Sequence, residues 1–169
     1  YALAGVATGS ISGYSNSIIY ITIYAVMNIG MFGCIFLMKK DGKYSESIDD
    51  LSGISKKNPI IAFAFLIILF SLAGIPPLAG FFAKFYIFVS VVENEMYTLA
   101  IIGLVTTVIS AFYYLRIIKI IYFDEIKMPF DHIKNISITS TVFISCFLLV
   151  TFFLYPSILS NIVNSIFSY

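Results

Sequence analysis

The stretch FSLAGIPPLAGFFAKFY, Phe70 to Tyr86, decides how this chain is read, because it sets two helix breakers and a charge inside one apolar run. The run extends from Pro59 to Val92 with Lys84 as its single charge. As one straight helix its roughly 34 residues would measure about 51 Å, well beyond a hydrocarbon layer of about 30 Å, so the segment must tilt steeply or break. Pro76 and Pro77 have no amide hydrogen, so carbonyls about one turn earlier lose their helical partners, and Gly74 and Gly80 let the chain turn sharply. A discontinuous transmembrane helix is expected over 59–92, broken near 74–80. Freed carbonyls cannot face lipid, so the break belongs inside a bundle, buried by protein or lining a wet cavity.

Lys84 follows the break by about one turn and lies about 13 Å along a helix from Glu93, close to half of a 30 Å layer. Snorkelling to either surface is difficult from that depth. An intramembrane lysine costs at least about 2.5 to 3.5 kcal/mol on insertion scales, and such charges usually mark ion or proton pathways. Loss of water disfavours an ammonium ion, so a lysine in this position can gain and release a proton as neighbouring charges change. Lys84 is therefore the candidate proton relay. The plain alternative is a structural lysine that bonds the carbonyls freed by the break.

The rest of the chain agrees with a membrane solvent. Its 169 residues are 60% apolar and only 11% charged, with mean hydropathy +0.98, where a soluble domain carries roughly a quarter charged residues. The net charge of +1 and the absence of a long basic run exclude a nucleic-acid partner. Cys34 and Cys146 lie singly in apolar runs without paired spacing, so disulfide, zinc and iron–sulfur sites lack their ligands, and both read as small buried hydrophobes.

An all-α polytopic bundle in a single membrane domain follows. Residues 1–8 are too short to span and read as the end of a truncated transmembrane helix with no signal-peptide character. Complete spans are expected over 17–38, 96–123 and 136–155, the last stopping at Pro156. Residues 157–168 repeat apolar positions at helical spacing among Ser and Asn, as an interfacial helix does. A short amphipathic helix is expected over 44–55, where Tyr44, Ile48, Leu51 and Ile54 oppose Glu46, Asp49 and Asp50, with Ser47 and Asp50 at capping-box spacing. Its acids read as a solvated face.

Basic residues alternate between loops. Lys39, Lys40, Lys43, Lys56 and Lys57 fall between the first two spans, and Arg116 and Lys119 at the end of the third span, with Lys127 and Lys134 after it, precede the last, whereas the other connecting segments and the C-terminus have none. The positive-inside tendency makes the basic loops cytoplasmic and the C-terminus periplasmic. It also explains Arg116 and Lys119 as anchors, while His132, beside Asp131, reads as solvated. Two polar stripes could hold water beside Lys84 or simply bridge helices: Tyr20, Tyr24 and Asn28 on one span, and Thr106, Thr107, Ser110, Tyr113 and Tyr114 on another.

Four segments together resemble the subunit N family of bacterial NADH:quinone oxidoreductase, respiratory complex I: YAVMNIGMFGCIFLMKKDG (Tyr24 to Gly42), SIDDLSGISKKNP (Ser47 to Pro59), FSLAGIPPLAGFFAKFY, and AFYYLRIIKIIYFD (Ala111 to Asp124). The LAGIPPLAGF core is shared with other antiporter-like subunits and multisubunit cation/proton antiporters; the second and fourth segments, and lysine at position 84, favour subunit N. The resemblance implies a 14-helix parent with inverted repeats, this chain supplying the end of helix ten and helices eleven to fourteen, with Lys84 on discontinuous helix twelve. It implies proton translocation driven by quinone reduction elsewhere, in the bacterial inner membrane, beside other membrane subunits of complex I. NADH, FMN, iron–sulfur clusters and quinone are expected in other subunits, since this chain has no nucleotide fingerprint, flavin motif or cluster ligands. A cation/proton antiporter subunit and a non-conducting structural membrane module are the alternatives.

Overall fold

A computed structural model describes residues 1–40, 43–44, 47–126 and 135–166. Glu46, Lys127, Asp131, His132 and Lys134, which figure in the sequence reading, lie outside the described residues, as do positions 167–168 of the expected interfacial helix. The chain opens with a short helix, α1 (Ala2–Ala7), followed by α2 (Ile11–Phe36). Helix α2 begins earlier than the uncharged run from residue 17 suggests, because the Ser10 hydroxyl accepts from the Gly13 amide at 3.1 Å and caps it.

The segment expected as one amphipathic helix over 44–55 is a two-residue antiparallel pair, β1 (Lys39–Lys40) with β2 (Lys43–Tyr44), and then two 3-10 turns, Ile48–Leu51 and Ile54–Lys56. Ser47 does cap the first turn, its hydroxyl accepting from the Asp49 amide at 3.2 Å. Gly53, at φ +67°, separates the two turns and prevents a continuous helix. Its amide donates to the Ile120 carbonyl at 3.0 Å, which ties this segment to the end of a later helix.

The broken span consists of α3 (Pro59–Ala73) and α4 (Ala79–Glu93), each of 15 residues and so about 22 Å long. Neither half crosses a bilayer by itself. The interruption at residues 74–78 separates the two halves. Helix α5 (Tyr97–Phe123) and helix α2 are each long and apolar enough to cross a membrane. Helix α6 (Ile136–Thr151) is capped by Asn135, whose side-chain oxygen accepts from the Ile138 amide at 3.3 Å.

Helix α6 ends before residue 155. Turn hydrogen bonds from Leu154 to Thr151 and from Tyr155 to Phe152 intervene, and Pro156 opens α7 (Pro156–Ile166) instead of merely ending α6. Helix α7 docks beside the middle of α2: Leu159 shares a groove with Thr22, Ile23 and Val26, and Val163 is buried in the main core. The described part of the segment expected as an interfacial helix over 157–168 is thus a helix packed along α2.

The main core gathers Ile19, Ile23 and Met27 of α2, Ile68 and Leu69 of α3, Ile121 of α5 and Leu149 of α6. Small residues let α2 and α6 approach closely, Gly30 facing Ser145 and Gly33 facing Val142, as in other membrane helix pairs. Much of α5 is apolar and exposed, including Ile101, Val105, Val108 and Phe112, a surface suited to lipid or to further helices. The Gly53–Ile120 bond brings the segment holding Lys56 and Lys57 to the end of α5 that carries Arg116 and Lys119. At the opposite end, the Asn94 side chain donates to the Ser10 hydroxyl at 3.3 Å. The described basic residues of both loops therefore gather at one end of the bundle.

Candidate functional site

The site is built by the way α3 ends. Its last four carbonyls, Phe70 to Ala73, have no partners in an uninterrupted helix once residues 74–77 leave it. Gly74, at φ +84°, occupies a left-handed conformation that costs a residue with a Cβ much more. Its amide donates to Ser71 O at 3.0 Å and the Ile75 amide to Phe70 O at 3.0 Å, the pattern of a Schellman cap. Two carbonyls remain. Leu72 and Ala73 would accept from residues 76 and 77 in a continuing helix, and those are the two prolines, which have nothing to donate.

Lys84 supplies what the prolines lack. Its Nζ donates to Leu72 O at 2.9 Å and to Ala73 O at 3.3 Å. The side chain reaches back from the second turn of α4 across the break, and the residue is only 8% exposed. Gly74 leaves room for its stem: a Cβ there would stand 3.2 Å from Lys84 Cδ. The ammonium also lies at the C-terminal end of α3, where the helix dipole favours a cation. The carbonyls and the adjoining ring described next carry no formal charge, so these contacts do not lock the ammonium into an ion pair.

Gly80 holds the two half-helices together. A Cβ at this position would collide with the Ser71 carbonyl, and the Gly80 amide donates to Ser71 Oγ at 3.0 Å. Pro76 and Pro77 are joined by a cis peptide bond. All five residues expected at the break, Gly74, Pro76, Pro77, Gly80 and Lys84, thus meet in one place.

The polar stripe on α2 is only partly drawn in. Tyr20 and Tyr24 stack with ring centroids 6.0 Å apart, but Asn28 donates to its own helix at Tyr24 O, 2.8 Å away. Tyr20 reaches the site through Tyr1, whose ring lies 5.8 Å from it and whose centroid is 5.1 Å from Lys84 Nζ. On α5, Thr107 and Thr106 approach the Tyr1 hydroxyl at 2.9 and 3.4 Å, whereas Tyr113 turns outward. Sequence reasoning does not single out Tyr1 or Ser71. Tyr1 belongs to a fragmentary apolar segment, and Ser71 is one hydroxyl within a hydrophobic run; the one available signal for Ser71 is its position just before the break.

Cys34 and Cys146 are both buried free thiols lining an apolar groove of about 470 Å³ that does not include Lys84. Among the described residues, no group of three His, Cys, Asp or Glu side chains comes together.

Comparison with known proteins places the chain in a family. A family model described as NADH:quinone oxidoreductase/Mrp antiporter, TM, matches residues 1–110. The chain belongs to this family. Among curated relatives, NADH-quinone oxidoreductase subunit N of Pelagibacter ubique is 55% identical over 166 residues, covering 98% of this chain and 35% of that protein. Subunit N of Parvibaculum lavamentivorans is 46% identical over 157 residues, covering 93% and 32%. The chain therefore spans about a third of the length of these relatives.

Solved structures of family members share the fold. A chain of respiratory complex I from Thermus thermophilus with bound aureothin superposes with TM-score 0.75 at 25% identity, over 88% of this chain and 34% of that one. A chain of the Mrp complex from Dietzia sp. DQ12-45-1b gives TM-score 0.83 over 96% of this chain and 39% of that one. At 19% identity the latter is a likeness of fold alone. The all-α architecture is thus shared with these solved structures.

Proposed function

We propose that this chain forms part of a proton-translocating membrane subunit of NADH:quinone oxidoreductase and that Lys84 is its proton relay. The supporting observation is the pair of hydrogen bonds from Lys84 Nζ to the Leu72 and Ala73 carbonyls. An ammonium group has three donors. Two suffice for the carbonyls, and a neutral amine still has two, so both protonation states can keep the break capped. The third proton is the one the two carbonyls do not require. Movement of a charge nearby would alter its occupancy, while the backbone around it stays in place.

The close sequence relatives named subunit N favour quinone-driven translocation over cation exchange. In this reading the redox reaction takes place in other subunits, which hold NADH, FMN, iron–sulfur clusters and quinone, and this chain transmits protons beside other membrane subunits within the lipid bilayer. The basic end of the bundle, with Lys56, Lys57, Arg116 and Lys119, faces the cytoplasm of a bacterial inner membrane and the C-terminus faces the periplasm, as the positive-inside tendency requires.

The same two bonds also support a second reading, a lysine that only ties down the break. Lys84→Met in the full-length subunit separates the two. Methionine keeps an unbranched stem but no donor, and the assembled complex is tested in sealed vesicles for protons moved per NADH oxidised. Loss of pumping from a complex that still assembles supports the relay; assembly with unchanged pumping supports the scaffold.

A further inference from the structure

Lys84 has a third neighbour that neither the helix break nor the family likeness accounts for. The Tyr1 ring centroid lies 5.1 Å from Nζ, inside the roughly 6 Å reach of a cation–π contact. The two carbonyls occupy two of the ammonium's donors, which leaves the third for the ring face.

That ring is held from several directions. Phe88 of α4 meets it edge-on, with centroids 6.1 Å apart and planes at 82°, and Tyr20 of α2 packs at 5.8 Å. On α5, Thr107 donates its own hydroxyl proton to Gly103 O at 2.9 Å. The Tyr1 hydroxyl is therefore the donor in its 2.9 Å bond to Thr107 Oγ1. Tyr1 itself directly precedes α1. Four helices thus set the position of one aromatic face above the lysine.

We propose that Tyr1 is a positioning residue for the relay, its ring face taking up the third N–H of Lys84 and holding the charged side chain against the broken helix. The proposal rests on Lys84 exchanging a proton, as set out above. A ring face attracts a cation through its quadrupole, and the attraction is strongest in a desolvated site. An apolar side chain of similar bulk would fill the space without that attraction. Because the hydroxyl is tied to α5, a displacement of α5 relative to α4 would move the ring and so alter how firmly the proton is held.

The test replaces residue 1 in the full-length subunit, within the assembled complex, by phenylalanine and by its mono-, di- and trifluoro derivatives, introduced by nonsense suppression. Fluorines drain the negative face of the ring while nearly preserving its shape, so a packing role would not respond to them. Proton translocation in sealed vesicles is scored per assembled complex. From the phenylalanine form onward the rate is expected to fall stepwise with each fluorine, by about 10-fold at trifluorophenylalanine. Equal pumping by the phenylalanine and trifluorophenylalanine forms overturns the proposal. Lys84→Met, measured in parallel, keeps the two ideas apart: if it pumps normally the relay itself fails, and if it abolishes pumping while the fluorine series is flat, only the role of Tyr1 fails.

Discussion

Gly80→Ala probes the junction between the two half-helices. The added Cβ would collide with the Ser71 carbonyl oxygen and stand 2.6 Å from the carbonyl carbon, where ordinary contact begins at 3.4 Å. Both groups belong to backbone, so no side-chain rotation relieves the overlap and α3 and α4 must separate by roughly 1 Å. Lys84 Nζ lies 2.9 Å from Leu72 O, and a displacement of that size takes the pair beyond hydrogen-bonding distance. Overpacking costs about 1–3 kcal/mol and loss of a bond to a charged group about 1.5–3 kcal/mol, giving a total of about 2.5–6 kcal/mol. The expected result is a lower yield of assembled complex, a lower midpoint of thermal inactivation, and weaker pumping in the complexes that do form. Wild-type yield, midpoint and pumping from Gly80→Ala would refute the close approach and with it the geometry assigned to Lys84.

Ser71→Ala leaves that approach intact but strips the Gly80 amide of its acceptor. A buried unsatisfied donor costs about 1–3 kcal/mol, so the thermal midpoint is expected to fall while pumping per electron stays unchanged in surviving complexes. Gly33→Leu acts away from the site: its side chain would run into Val142 across the α2–α6 seam. At about 1–3 kcal/mol or more for overpacking, it is expected to reduce the amount of assembled subunit on native gels, again without altering the proton-to-electron ratio of what assembles.

The membrane class, the broken span and its charged residue were legible in the chain, because each follows from local covalent facts. Prolines lack amide hydrogens wherever they occur, and an apolar run about 34 residues long overshoots a bilayer in any arrangement. The amphipathic pattern over 44–55 misled for the same local reason. Spacing reports which residues could share a helical face, but the left-handed Gly53 and its bond to Ile120 belong to a contact with α5 that spacing does not record. The course of α7 was hidden likewise, since its apolar stripe suits a lipid interface or the flank of α2 equally well.

From sequence alone came the existence of a lysine stranded near the middle of a broken membrane helix, because hydropathy and backbone chemistry act along the chain. Only the tertiary structure decided what surrounds its nitrogen. The Leu72 and Ala73 carbonyls come within reach because Gly80 lets α4 fold back against Ser71, and the Tyr1 ring arrives from a distant segment held by α2, α4 and α5. Such contacts depend on how helices lie against one another, a property of packing in three dimensions that one-dimensional periodicity does not encode.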